Sequence, residues 1–334
     1  MSILITGASG FVGLHLAELL LADGEHVVGC SATPVPAAVA ARWAALPGKF
    51  TDLVGDVRDG ALLAATMAAH RVDRVAHLAA VTAGPAREKT GAATIIDVNL
   101  AGLATTLQAS AAAGVRRFLY ASSIAVFGGV SPDGSLIEED APHVPASLYA
   151  ITKSAGELIA TRLGALHGVD VVIGRLGRVF GPYEYATGVR DTLSQVYQAT
   201  AMARAGEAFH FSRPCVKNWN YGPDAAAALR TLLTAPRRAY PVYNLGTPHA
   251  WSLAAWCAGL AAELPGVHYR VASCVHEAPA GWSEIDLGGA HDAGLLSWQR
   301  FAAEFGAPPA HDMNAAQRHY LDFLNATSDL IHTP

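Results

Sequence analysis

The first two dozen residues leave this chain few architectures to choose from. An apolar run, ILIT at residues 3–6, ends in TGASGFVG, and an amphipathic stretch, FVGLHLAELLLADG, starts inside that motif. Gly7, Gly10 and Gly13 therefore sit where a strand hands over to a helix. Glycine at such a junction permits a tight turn, close approach of the backbone to a neighbour and close helix-to-sheet packing. The theme then repeats: HVVGC, RVAHLA and RRFLYAS are short strand-like runs separated by helix-length segments such as ATTLQASAAAG. Parallel strands joined by helical crossovers bury both faces of their sheet. The pattern thus predicts an α/β fold, a doubly wound parallel sheet of Rossmann type.

After a helix expected from Tyr149 to about His167, the run VDVVIGRLG is the strand expected to finish this sheet. Beyond Gly181 the texture changes to loops rich in Pro, Gly and aromatics, with helices such as PDAAAALRTLLTA and a strand candidate in VYNLG. Residues 1–180 form one expected unit and 181–334 a smaller, partly discontinuous lobe, the chain crossing back between them.

A helix N-terminus presents unpaired amides to an anion, and glycines let a pyrophosphate come close. The GxxGxxG spacing, wider in its first gap than the usual fingerprint, is read as a dinucleotide site built from Gly7, Gly10, Phe11, Val12 and Gly13. A carboxylate ending the second strand would bind the ribose hydroxyls of NAD, and its absence leaves space for a 2′-phosphate. The second strand here runs into CSAT with no carboxylate, so Ser31 becomes the candidate contact and NADP is favoured slightly over NAD. Asp56, in GDVRD after the third strand, is placed to meet the adenine edge, with Val57 offering a backbone amide.

Composition excludes other partners. The net charge is −5 and charged residues make up 15% of the chain, so no basic footprint for nucleic acid is expected. Cys30, Cys215, Cys257 and Cys274 form no CxxC pair and the histidines no HExxH, so neither a disulfide framework nor a metal site is predicted. Without a basic leader or an unbroken apolar run of spanning length, the expectation is a cytoplasmic protein with no membrane partner.

Tyr149 and Lys153, four residues apart in SLYAITKSAGE, fall on one helix face. A phenol with a pKa of about 10 is a poor base at neutral pH, and a neighbouring ammonium favours its ionised form. The pair occurs with GxxGxxG, HLAA at residues 77–80, DVNLAGLATTL around Asn99, YASSIAVFG at 120–128 and RVFGP at 178–182. On these motifs the chain resembles the extended short-chain dehydrogenase/reductase family, in its NAD(P)-dependent epimerase/dehydratase group of the UDP-galactose 4-epimerase kind. The resemblance is close over the first half and looser in the second, where NWNYGPDAAAAL and YNLGT carry it.

The resemblance implies that Tyr149 is the general acid/base, that Lys153 supports it and holds the nicotinamide ribose, and that Ser123 rather than Ser122 orients the substrate oxygen. It further implies that Ala79 and Ala80 clear space for the cofactor, that Asn99 lies near the active centre, and that the helices after Ser147 and around ATTLQASAAAG form a homodimer contact. Two departures bear on substrate. Dehydratases of the group carry an acidic pair after the catalytic hydroxyl, and Ile124 and Ala125 stand there instead, which disfavours dehydration. Nucleotide-sugar members usually carry asparagine where Arg178 stands, and a guanidinium grips phosphate or carboxylate in bidentate fashion. Arg178 therefore joins Arg190 and Lys217 as candidate contacts to an anionic sugar or nucleotide-sugar, a small-molecule partner, with Tyr183 and Tyr185 as candidate walls. The expected activity is NAD(P)-dependent redox chemistry at a secondary alcohol of a sugar, as an epimerase or a dehydrogenase/reductase. The alternative is a redox-silent NAD(P)-binding sensor or scaffold.

Overall fold

Every residue of Ser2–Thr6 is buried, as a strand covered on both faces requires. The computed structural model describes residues 2–128, 135–185, 191, 193–272, 280–288, 292, 294–307 and 310–327. Ser2–Thr6 is β1, followed by β2 (His26–Ser31), β3 (Lys49–Val54), β4 (Val72–His77), β5 (Arg117–Ser123) and β6 (Asp170–Leu176). The second half adds β7 (Arg178–Phe180), β8 (Phe209–Phe211), β9 (Val216–Lys217), β10 (Trp219–Tyr221), β11 (Val242–Leu245), β12 (Trp251–Ser252), β13 (Tyr269–Val271) and β14 (Ser283–Glu284). Among the described residues the main sheet has seven strands in the order β11-β6-β5-β4-β1-β2-β3, all parallel. The doubly wound expectation holds, with one correction: β6 does not finish the sheet. VYNLG does, because β11 returns from the second half and pairs along β6 from Val242 opposite Ile173 to Leu245 opposite Leu176.

The helices are α1 (Phe11–Ala22), α2 (Ala37–Trp43), α3 (Gly60–His70), α4 (Pro85–Ile96), α5 (Gly102–Ala112), α6 (Leu148–His167), α7 (Gln195–Ala205), α8 (Gly222–Thr234), α9 (Leu253–Glu263), α10 (Gln299–Phe305) and α11 (Met313–Ala326). Alternation along β1 sends its side chains to two separate cores. Ile3 and Ile5 pack with Leu14 and Leu20 of α1 and Leu229 and Leu232 of α8. Leu4 faces the other way, among Leu63, Met67, Leu103, Leu107 and Ala160 of α3, α5 and α6. Each such leucine, fully buried, contributes roughly 1.5–3 kcal/mol. A third core, largely aromatic, joins Phe180, Trp219, Tyr221, Trp256 and Tyr320 in the second half. No helix among the described residues is long and apolar enough to cross a membrane. Cys30, Cys215 and Cys257 are free and buried, and Cys274 lies outside the described residues.

Candidate active site

The strand-to-helix junction is shaped by what glycine lacks. Gly7 holds φ at +73°, and a Cβ on Gly13 would lie 2.1 Å from the Gly7 carbonyl oxygen, so neither position admits a side chain without moving backbone. No side chain caps α1: Gly10 occupies its N-cap, and Phe11, Val12 and Gly13 follow into a cavity of about 670 Å³. The cradle and the uncapped helix end fit the pyrophosphate of a dinucleotide. Ala80 lines the same cavity, while Ala79 packs so near Gly7 that a Cβ there would sit 2.8 Å from the Ala79 nitrogen.

Tyr149 and Lys153 enter the cavity from the first two turns of α6, whose start is fixed by Ser147 accepting from the Ala150 amide at 3.2 Å. Lys153 is buried. Its Nζ donates to the Ala121 carbonyl at 2.7 Å and lies 4.9 Å from the Tyr120 ring centroid and 5.9 Å from that of Tyr149. Burial pulls its pKa from 10.5 down to about 8, against the opposing pull of Glu157. The ammonium is therefore still charged at neutral pH and stands beside the Tyr149 ring. Ser123 ends β5 at the cavity and accepts from the Ala125 amide at 3.2 Å, capping the short turn Ile124–Phe127.

Ser122 adjoins the cavity too, but its hydroxyl is committed elsewhere. It donates to Glu157 Oε1 at 2.5 Å, and Glu157 is gripped by Arg175 through Nε at 2.8 Å and Nη2 at 2.7 Å. Arg175 also donates to the Glu139 carbonyl at 2.7 Å and to His143 Nε2 at 2.9 Å. His143 then carries its proton on Nδ1 and donates to Ser154 at 2.8 Å. This network behind β5 was invisible in the sequence, since its hydrogen-bonded partners are 11 to 36 residues apart.

Other expected contacts are not among the described residues that line the cavity. Asn99 is buried: its Oδ1 accepts from the Val81 amide at 2.7 Å, and its Nδ2 donates to the Val81 carbonyl at 3.1 Å and to Thr152 at 3.0 Å. Thr152 donates to the Tyr149 carbonyl at 2.8 Å, so Asn99 braces the turn that carries the phenol. Ser31 accepts from the Ser9 amide at 3.0 Å, inside the glycine loop. Asp56 is occupied by its neighbour Arg58, whose Nη2 donates to Oδ2 at 2.6 Å, and Val57 is buried against Gly102. Tyr183 and Tyr185 are braces: Tyr183 donates to both oxygens of Glu18 at 3.0 Å, and Tyr185 to the Ser9 carbonyl at 2.9 Å.

Arg178 and Lys217 line the far side of the cavity with Gln195 and Trp219. Both are pulled below their ordinary pKa values, chiefly by burial. Lys217 Nζ donates to Gln195 Oε1 at 3.3 Å and lies 4.9 Å from the Trp219 ring centroid. Arg190 falls outside the described residues. Among the described residues that line the cavity none is an Asp or Glu, and no group of three or more His, Cys, Asp or Glu is placed to hold a metal ion.

Residues 3–246 match the sequence model of the NAD dependent epimerase/dehydratase family. The dTDP-glucose 4,6-dehydratase of an Actinoplanes species is 27% identical over 260 residues, which are 74% of this chain and 76% of that enzyme. UDP-glucuronate 4-epimerase 3 of Arabidopsis thaliana is 34% identical over 187 residues, 54% of this chain but only 43% of the plant protein. The UDP-glucuronic acid 4-epimerase of Bacillus cereus, solved in complex with UDP-glucuronic acid and NAD, superposes with a TM-score of 0.78 at 19% identity, covering 98% of this chain and 99% of that one.

Proposed function

Because the chain belongs to the NAD dependent epimerase/dehydratase family, we propose that it is an NAD(P)-dependent epimerase acting at a secondary alcohol of a nucleotide-linked sugar. The observation that carries this reading is the convergence of Ser123, Tyr149 and Lys153 with the glycine loop on one cavity. When bound along Gly7–Gly13, the dinucleotide would supply a hydride acceptor and, on return, a hydride donor. The protein's own part is proton movement and orientation. The phenolate of Tyr149 takes the carbinol proton and later gives it back, and the buried charge of Lys153 favours the phenolate. Ser123 donates to the substrate oxygen and holds it toward Tyr149.

Dehydration is set aside although dehydratases are among the relatives. Water elimination beside a ketone asks for a further acid/base, and the described cavity wall offers no carboxylate. Epimerisation is preferred over net dehydrogenation because the plant relative, at 34% identity, is a 4-epimerase; carbon 4 is accordingly taken as the reacting centre. As to the cofactor, β2 ends without a carboxylate that would repel a 2′-phosphate, while the Bacillus cereus structure holds NAD. NAD(P) is therefore the class we assign.

The test is Tyr149→Phe, with conversion of UDP-glucose and UDP-glucuronate followed by NMR and retained nucleotide identified by mass spectrometry after denaturation. Turnover is expected to fall by about 10²–10⁴-fold with cofactor retention unchanged. Biological activity that survived the substitution would favour the redox-silent sensor instead.

A further inference from the structure

Two arginines three residues apart, Arg175 buried and Arg178 partly buried, are treated by the fold in opposite ways. Arg175 is surrounded: Glu157, the Glu139 carbonyl and His143 take its guanidinium. Arg178 lines the cavity, and among the described residues it makes neither a hydrogen bond nor an ion pair. Asp292 acts on it only at longer range, and the oxygens of that carboxylate are already engaged, Oδ1 by Arg213 Nε and Oδ2 by the Val216 amide, each at 2.8 Å. Partly withdrawing a guanidinium from water without a counter-ion is unfavourable, and an anion arriving in the cavity offsets it.

Register places that anion. Leu176 of β6 is paired with Ser123 of β5, and Arg178 follows two residues later. Trp219 is the register partner of Arg178, and Lys217 lies two residues before Trp219. In strand order Arg178 follows β6, the direct neighbour of the β5 strand that ends in Ser123, whereas Lys217 precedes β10, which pairs with the Arg178 strand; Arg178 is thus one strand step from Ser123 and Lys217 two. In a hexose that reacts at carbon 4, carbon 6 is attached to the adjacent ring carbon, while the diphosphate leaves from carbon 1 across the ring. We propose that Arg178 determines specificity by reading a carboxylate at carbon 6 of the sugar, the diphosphate being left to Lys217. A guanidinium matches the two oxygens of a carboxylate in one plane, which a lysine cannot reproduce. The inference rests on the nucleotide-sugar reading above and names the class within it, a nucleotide-linked hexuronate.

Isothermal titration of the cofactor-loaded protein with UDP, UDP-glucose and UDP-glucuronate tests it. The wild type is expected to bind UDP-glucuronate roughly 30- to 100-fold more tightly than UDP-glucose, and Arg178→Met to abolish that preference through a loss of the same size for the uronate alone. Lys217→Met is expected to weaken all three ligands together. Arg178→Lys, which keeps the charge, retains part of the preference, and the wild-type preference is itself a test that needs no variant. Equal binding of UDP-glucose and UDP-glucuronate by the wild type overturns the inference, as does a loss of UDP binding in Arg178→Met equal to the loss of uronate. Failure of the wild type to bind any of the three, and equally dTDP and dTDP-glucose, overturns the nucleotide-sugar reading itself, and the two failures are thereby distinguished.

Discussion

Lys153 should be a destabilising residue in the cofactor-free protein, and its replacement by methionine measures by how much. Its pKa falls from 10.5 to about 8 because its ammonium is buried, and a difference of about 2.5 units corresponds to about 3 kcal/mol. Below pH 8 the lysine is charged in both folded and unfolded chains, and the full destabilisation is present. Between pH 8 and 10.5 the unfolded chain binds more protons than the folded one, so stability rises with pH through that window. Above 10.5 both are neutral and the effect has gone. Lys153→Met removes the charge and keeps most of the apolar stem, but gives up the 2.7 Å bond to the Ala121 carbonyl, worth about 1 kcal/mol. The net expectation at pH 7 is a gain of about 2 kcal/mol, or a melting temperature higher by roughly 3 °C for a chain of this length, together with loss of turnover. Calorimetry of wild type and variant at pH 7 and pH 10.5 gives the answer. A variant less stable than wild type at pH 7, or an advantage that does not shrink towards pH 10.5, would refute the reasoning.

Gly13→Ala should lower stability by about 1–3 kcal/mol and abolish dinucleotide binding, because the new Cβ meets the Gly7 carbonyl at 2.1 Å and the Ala8 Cα at 2.9 Å. Gly10→Ala, whose Cβ would meet the same carbonyl at 3.1 Å, should be milder in both thermal melting and cofactor titration. On α6, Leu158 is 72% exposed and Ile151 48%, an apolar face without a partner among the described residues. If that face is the homodimer contact, the wild type sediments as a dimer at micromolar concentration and Leu158→Glu as a monomer; identical sedimentation of the two would end the idea.

What was legible in the sequence was what depends on near neighbours. The glycine spacing and the Tyr149–Lys153 interval are consequences of one turn and one helix, so reading them needs no knowledge of the rest of the fold. Ser122 and Ser123 look alike in YASSIAVFG, and only the structure shows that the Ser122 hydroxyl is held by Glu157. For Ser31, Asp56 and Asn99 the residue type was legible, but the hydrogen-bond partner of the side chain was not. Each is a polar side chain with a protein partner close by: the Ser9 amide, Arg58, and the Val81 backbone. The edge strand β11 was missed as the sheet's end because nothing local in VYNLG says which of two lobes its hydrogen bonds serve. Arg175 and Arg178 look alike in RLGRVF, and only their surroundings separate a satisfied guanidinium from one facing a cavity.

The segment just beyond Arg178 is fastened to the opposite half of the chain at three points: His15 Nε2 donates to the Pro182 carbonyl at 2.7 Å, Tyr183 holds Glu18 and Tyr185 holds the Ser9 carbonyl. Recombination between homologues would feel these fastenings. A crossover at residue 180, where the texture of the sequence changes, would part Tyr183 and Tyr185 from the α1 and glycine-loop residues that grew up with them, so chimaeras joined there would inherit mismatched halves. Point changes at Arg178 and Lys217, which line the cavity, leave all three fastenings in place, whereas exchange of the whole second half does not.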